Sequence, residues 1–259
     1  MSITSVADAT AGVGICLLVN SAYGGLTSMT PHLGKPFWEK PISTYDESLD
    51  IGARSAFLLS RAVIPKMAEA KVKNGLIVQI SSYGGFMYVF ELGYSVGHVA
   101  LDRLSWDMAI ELNSTPSTNG TDGAAKIRSL TLSPAGGVTE VAAFPNGETP
   151  IYVGRSILAL HADSTTPDFL DKANGKVLFT ADLASKTLAA DGIEGATVIK
   201  EDGKTDTEAD EINKARAEAL KAFPGPPKIR GENDPAAPLP QMADGFAVAG
   251  AADFFPGLK

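Results

Sequence analysis

Short apolar runs alternate with longer stretches of helical periodicity, and this alternation constrains the fold more than any other feature of the chain. The runs are GICLLVN (14–20), GLIVQISS (75–82), KIRSLTLS (126–133) and GKVLFTA (175–181). Their near-continuous apolar character predicts parallel strands covered by helices on both faces, the pattern of βαβ units. Between the first two runs, Thr44 and Glu47 have capping-box spacing. Apolar residues at Leu49, Ala53, Phe57 and Ile64 then predict a long helix to about Ala70, kinked or ended by Pro65. After the second run, the spacing of Tyr94, His98, Leu101, Ser105, Met108 and Leu112 predicts a helix from about Gly93 to Leu112 with these residues on one face.

A chain of 259 residues, 44% hydrophobic and 20% charged, is long enough for one substantial core. The fold expectation is α/β, with a main domain over 1–187. From about Ala190 the composition turns acidic and then proline-rich, which predicts a partly disordered C-terminal extension over 188–259. The net charge of -8 argues against a nucleic acid or an anionic membrane as the main partner. No stretch reaches the roughly 18 apolar residues of a membrane helix, and the first residues lack the pattern of a secretory signal, so the cytoplasm is the expected location. The single cysteine, Cys16, lies in an apolar run and reads as a buried, inert thiol.

The stretch GYSVGH (93–98) has two chemical readings. As G-x-S-x-G over 93–97 it matches the elbow of a serine hydrolase, with Ser95 as nucleophile, MYVFEL (87–92) as the preceding strand and His161 as the available downstream histidine. Read from Tyr94, it is a tyrosine followed four residues later by His98, one helical turn away.

The second reading joins other pieces in order. LLVNSAYGG (17–25), FWEKP (37–41), IVQISS (77–82), GYSVGHVALDRL (93–104), LSPAGGVTE (132–140) and NGKVLFTADLA (174–184) together resemble the short-chain dehydrogenase/reductase family over residues 14–187. The resemblance implies a Rossmann-like parallel sheet and an oxidoreductase that interconverts carbonyls and alcohols with NADP or NAD. It implies Tyr94 as acid/base, Ser82 as hydrogen-bond partner of the substrate oxygen, and Asn20, Ala22, Pro134 and Thr139 on the cofactor side. The expected partner is a small carbonyl or alcohol.

Three departures qualify that expectation. His98 stands where the family has lysine, and a histidine of ordinary pKa is only about a quarter protonated at pH 7, so it supports a phenolate poorly. Asp50 stands in the long helix where the family has asparagine. Ahead of LLVN the family carries about seventy residues, with three strands and a glycine-rich phosphate turn, and this chain has sixteen. The string TAGVGI (10–15) has no preceding strand and no following helix, so it does not read as that turn. The chain is thus expected to be an N-terminally truncated member, lacking the first three strands, with impaired or absent turnover and an open strand edge over residues 15–19. A non-catalytic relative acting through that edge, as a homo-oligomer or with another partner, is the alternative, and the hydrolase stands behind it.

Overall fold

The computed structural model describes residues 14–134, 136–137, 148–162 and 167–180. The chain runs through β1 (Leu17–Asn20), the short helices α1 (Gly25–Met29) and α2 (Ser43–Glu47), α3 (Ser55–Glu69), β2 (Gly75–Ile80), α4 (Leu92–Ser114), β3 (Ile127–Ser133), α5 (Pro150–Ala162), α6 (Pro167–Ala173) and β4 (Val177–Phe179). All four strands pair in parallel, in the order β1-β2-β3-β4. The four expected strands therefore form, each within the predicted run. The acidic and proline-rich tail and Thr139 lie outside the described residues.

Alternation along the two central strands divides the core. Leu76, Val78, Leu130 and Leu132 pack with Ile157 and Leu160 of α5 and Leu170 and Ala173 of α6. Ile77 and Ile127 pack on the opposite face with Val63 and Met67 of α3 and Leu112 of α4. Since side chains alternate across a strand, β2 and β3 need apolar residues at nearly every position, which is why they read as continuous runs. The result is a helix–sheet–helix sandwich with every strand end pointing to one edge.

Five expectations are corrected. The helix after Thr44 is continuous but not uniform: Ser48–Arg54 winds as a π-helix between α2 and α3. Thr44 makes no N-cap, and its hydroxyl donates instead to Pro41 O at 2.9 Å. The fully buried face of this helix is Ser48, Gly52, Ala56, Ser60, Val63 and Met67; of the expected residues Ile64 does pack against the core, Leu49 and Ala53 are half-buried, and Phe57 is 49% exposed. The wider π turn carries residues spaced by four onto one face, and that face is made of small side chains that admit close backbone approach. Pro65 sits inside α3 on the solvent side and does not end it. Cys16 is exposed, because it leads into β1, an edge strand among the described residues, where Val19 is also 36% exposed.

No described helix is long and apolar enough to cross a membrane.

Candidate active site

The carboxyl ends of parallel strands are where such sheets bind ligands, and most of the predicted site residues stand there. Asn20 ends β1, Ser81 and Ser82 follow β2, and Pro134 follows β3. Asn20 is buried, and its Nδ2 donates to Ser60 Oγ at 3.3 Å, while its Oδ1 has no partner among the described residues. Beside it, a cavity is lined by Val19, Ser21, Gly52, Ser55 and Ala56. Ala22 is exposed at its rim.

Ser82 is extended, and its Oγ accepts a 3.0 Å hydrogen bond from Gly84 N, which closes the turn after β2. The same hydroxyl and the Tyr94 ring lie together over Gly84. Tyr94 sits in the first turn of α4, its ring edge-on to Phe90 (5.1 Å between centroids, 84°). Burial pushes the Tyr94 phenol up to about 12, with the Ser82 hydroxyl pulling in the opposite direction. His98, 5% exposed, stacks 4.2 Å from the Tyr94 ring, and its Nδ1 lies 2.7 Å from Tyr94 O. A carbonyl only accepts, so Nδ1 carries the proton and Nε2 of the neutral ring is the basic nitrogen. Burial depresses the His98 pKa, which keeps the ring neutral near pH 7.

Tyr94, Ser82 and His98 are thus brought together. Asp50 is not: it lies exposed on the π-helical segment, and among the described residues no hydrogen bond ties it to the other three. The turn that shifts the helix phase also carries Asp50 outward.

The glycines of GYSVG have a packing explanation. A Cβ on Gly93 would lie 2.8 Å from Thr44 O, and one on Gly97 would lie 3.0 Å from Ser48 O, so both positions let α4 approach the α2 and π-helical backbone. Ser95 Oγ accepts from Val89 N at 3.1 Å and donates to Met87 O at 3.3 Å, tying down the loop before the helix. Met87–Glu91 forms no strand. The strand–turn–helix geometry of a hydrolase elbow is therefore absent, and the serine is held as a structural group. Phe90, at φ 58, takes the left-handed turn that starts the helix instead.

Two residues of this site escaped the sequence reading. Tyr23, just after β1, lays its ring against both Tyr94 and His98, and its hydroxyl lies 3.0 Å from Ser48 Oγ. Asp102, two turns beyond Tyr94, faces Gly85 and the Ser81 hydroxyl, and burial pushes its carboxyl up to about 7, with Ser81 opposing. Position 23 carried a signal, since it is where the L-V-N-N-A-G pattern has glycine, but nothing local to Asp102 marks it.

The short chain dehydrogenase family model matches residues 4–118. Mouse dehydrogenase/reductase SDR family member 1 is 32% identical over 184 residues, which is 66% of this chain and 56% of that protein. The chain thus spans just over half the length of this relative. Among solved structures, 4-hydroxyisoleucine dehydrogenase complexed with NADH and succinate matches with a TM-score of 0.50 and 22% identity, over 68% of this chain and 72% of its own. A short-chain dehydrogenase/reductase family oxidoreductase from Burkholderia thailandensis matches with a TM-score of 0.52 and 19% identity, over 70% and 68%. These structural likenesses speak for a common fold.

Proposed function

From a chain that belongs to the short-chain dehydrogenase/reductase family, we infer a site that binds the oxygen of a small carbonyl or alcohol and exchanges a proton with it, at low turnover. The observation that carries this reading is the Ser82 hydroxyl beside the Tyr94 ring, the two lying together over Gly84 at the carboxyl edge of the sheet. Two hydroxyls so placed suit one oxygen acceptor: Ser82 orients it, and Tyr94 supplies the proton as the oxygen gains charge.

Low turnover follows from charge. A phenol near 12 is ionised in only about one molecule in 10⁵ at pH 7, and the neutral His98 offers no cation to change that. Tyr94 is therefore present as an acid and nearly absent as a base.

The hydride partner that the family supports is a nicotinamide dinucleotide, either NADP or NAD, and the 4-hydroxyisoleucine dehydrogenase relative holds NADH. Tyr94 and Ser82 would face the substrate oxygen beside the nicotinamide of such a group, while the described glycines offer its phosphates no seat. Pyrophosphates seat against open glycine backbone at a helix N-terminus. Gly24 and Gly25 do precede and start α1, but the Ile51 side chain fills the space above Gly24, and Tyr23 and Ser48 fill that above Gly25. The glycines of the turn between β2 and α4 are covered as well, Gly84 by Tyr94 and Ser82 and Gly85 by Asp102.

The test is carbonyl reduction by the full chain with NADH and with NADPH, using a panel of small ketones and aldehydes. Slow turnover, lost in Tyr94→Phe and reduced in Ser82→Ala, is the expected result. Reduction by Tyr94→Phe at the rate of the unaltered chain would overturn the assignment. A second reading, contact through the β1 edge, draws on the exposure of Val19 and Cys16. It expects a dimer or hetero-complex broken by proline or lysine at residues 15–19, and a monomer under sedimentation counts against it.

A further inference from the structure

Tyr23 has no part in the oxygen-binding pair, yet its ring lies against both Tyr94 and His98. Its ring stands edge-on to Tyr94 (centroids 5.4 Å, 80°) and 5.3 Å from the His98 ring. Its hydroxyl meets Ser48 Oγ at 3.0 Å. Ser48 donates its own proton to Thr44 O at 3.0 Å, so the phenol donates to Ser48 and not the reverse. Burial raises the Tyr23 pKa, which keeps this donor protonated.

The surroundings are asymmetric. The space over Gly24 and Gly25, which follow Tyr23, is filled by Ile51, Ser48 and the tyrosine itself, whereas Ser21 and Ala22, which precede it, are exposed. The ring is held by one neutral hydrogen bond, two ring contacts and packing over Gly25 and Gly52, each individually weak. His98, by contrast, is held within its own helix by the bond to Tyr94 O and is 5% exposed.

We propose that Tyr23 is a gate over the Tyr94–His98 pair: in the arrangement seen here its ring covers both, and rotation of this one side chain toward Ser21 and Ala22 uncovers them. A ligand that comes to lie against the imidazole displaces the Tyr23 ring, and Ser48 is the latch that returns it. The device does not depend on which reaction the site performs.

Modification of the full chain by diethyl pyrocarbonate tests this, because the reagent attacks neutral imidazole and needs no turnover. The chain has three histidines, His32, His98 and His161, which peptide mass mapping separates. In the unaltered protein His98 should react at least about tenfold more slowly than His32, as expected for a group that needs local opening. Tyr23→Ala should raise the His98 rate by about fivefold or more without changing the other two. Tyr23→Phe and Ser48→Ala, which keep the ring and remove the latch, should give a smaller rise, and they decide the matter if Tyr23→Ala fails to fold. An unchanged His98 rate in variants with native circular dichroism overturns the gate. So does a parallel rise at all three histidines, which would report general loosening. Loss of the oxidoreductase reading would leave these rates untouched.

Discussion

Lys40 Nζ donates a 2.9 Å hydrogen bond to Glu91 Oε2, and the two side chains are 4% and 1% exposed. The pair joins the end of the 3-10 turn Phe37–Glu39 to the residue immediately before α4. It thereby fixes where the Tyr94 helix begins. Removing one partner leaves a buried charge without compensation, which costs about 3–5 kcal/mol. Lys40→Met should lower urea-unfolding stability by that amount. The double variant Lys40→Met/Glu91→Gln, which removes both charges, should recover much of the loss. Equal losses in the single and double variants would show that packing, not charge, is what the pair contributes.

The glycines of α4 invite a second test, in which two effects of opposite sign compete. Alanine in place of a helical glycine normally stabilises by up to about 1 kcal/mol. At Gly97 the added Cβ would meet Ser48 O at 3.0 Å, and such overpacking costs roughly 1–3 kcal/mol. Steric cost should win, and Gly97→Ala should be destabilised in urea and less compact around Ser48. At Gly154 of α5 nothing lies within 4 Å of the added carbon, so Gly154→Ala should be stabilised by up to about 1 kcal/mol.

These glycines also show why the fold was more legible than the site. The strands were readable because helices cover β2 and β3 on both faces, so burial leaves a mark at every residue. The register of α4 was readable because Leu101 and Leu112 recur with His98 on its buried side. The face of α3 was not, because Ser48, Gly52, Ala56 and Ser60 pack through smallness and carry little hydrophobic signal. Asp50 illustrates the same limit: its type is plain in the sequence, but the π turn that sets its direction leaves no periodic trace. Tyr94 and Ser82 were paired by family resemblance alone. The contact of Tyr23 with Ser48 spans 25 residues and arises only in the folded chain.

Asp102 makes stability depend on pH. Its folded pKa, about 7, lies above the ordinary carboxyl value, and burial is the main cause. The folded protein therefore holds a proton that the unfolded chain has released, and stability falls as pH rises from the ordinary value of about 4 toward 7. Above that window the penalty is constant, at a few kcal/mol. Asp102→Asn, which cannot ionise, should melt higher than the unaltered protein at pH 8, with the difference shrinking toward pH 5. The same increment at both pH values would show that this carboxyl does not titrate with folding.

The last prediction separates the two directions of the proposed chemistry. Reduction uses Tyr94 as the phenol, which is its state throughout the neutral range, so the reduction rate should be flat from pH 6 to 9. Oxidation needs the phenolate, whose fraction grows about tenfold per pH unit below a pKa near 12. The oxidation rate should rise with that slope and show no plateau below pH 9. His98→Lys places an ammonium one helical turn from Tyr94, and an adjacent opposite charge lowers an acid's pKa by about 1–3 units. The oxidation limb should shift to lower pH by that interval, while reduction keeps its plateau. Ultraviolet difference titration of tyrosinate, with Tyr94→Phe as the reference, reads the same shift without any turnover. A Tyr94 titration that His98→Lys leaves in place would mean that the lysine does not reach the phenol, and that charge at position 98 is not what limits this site.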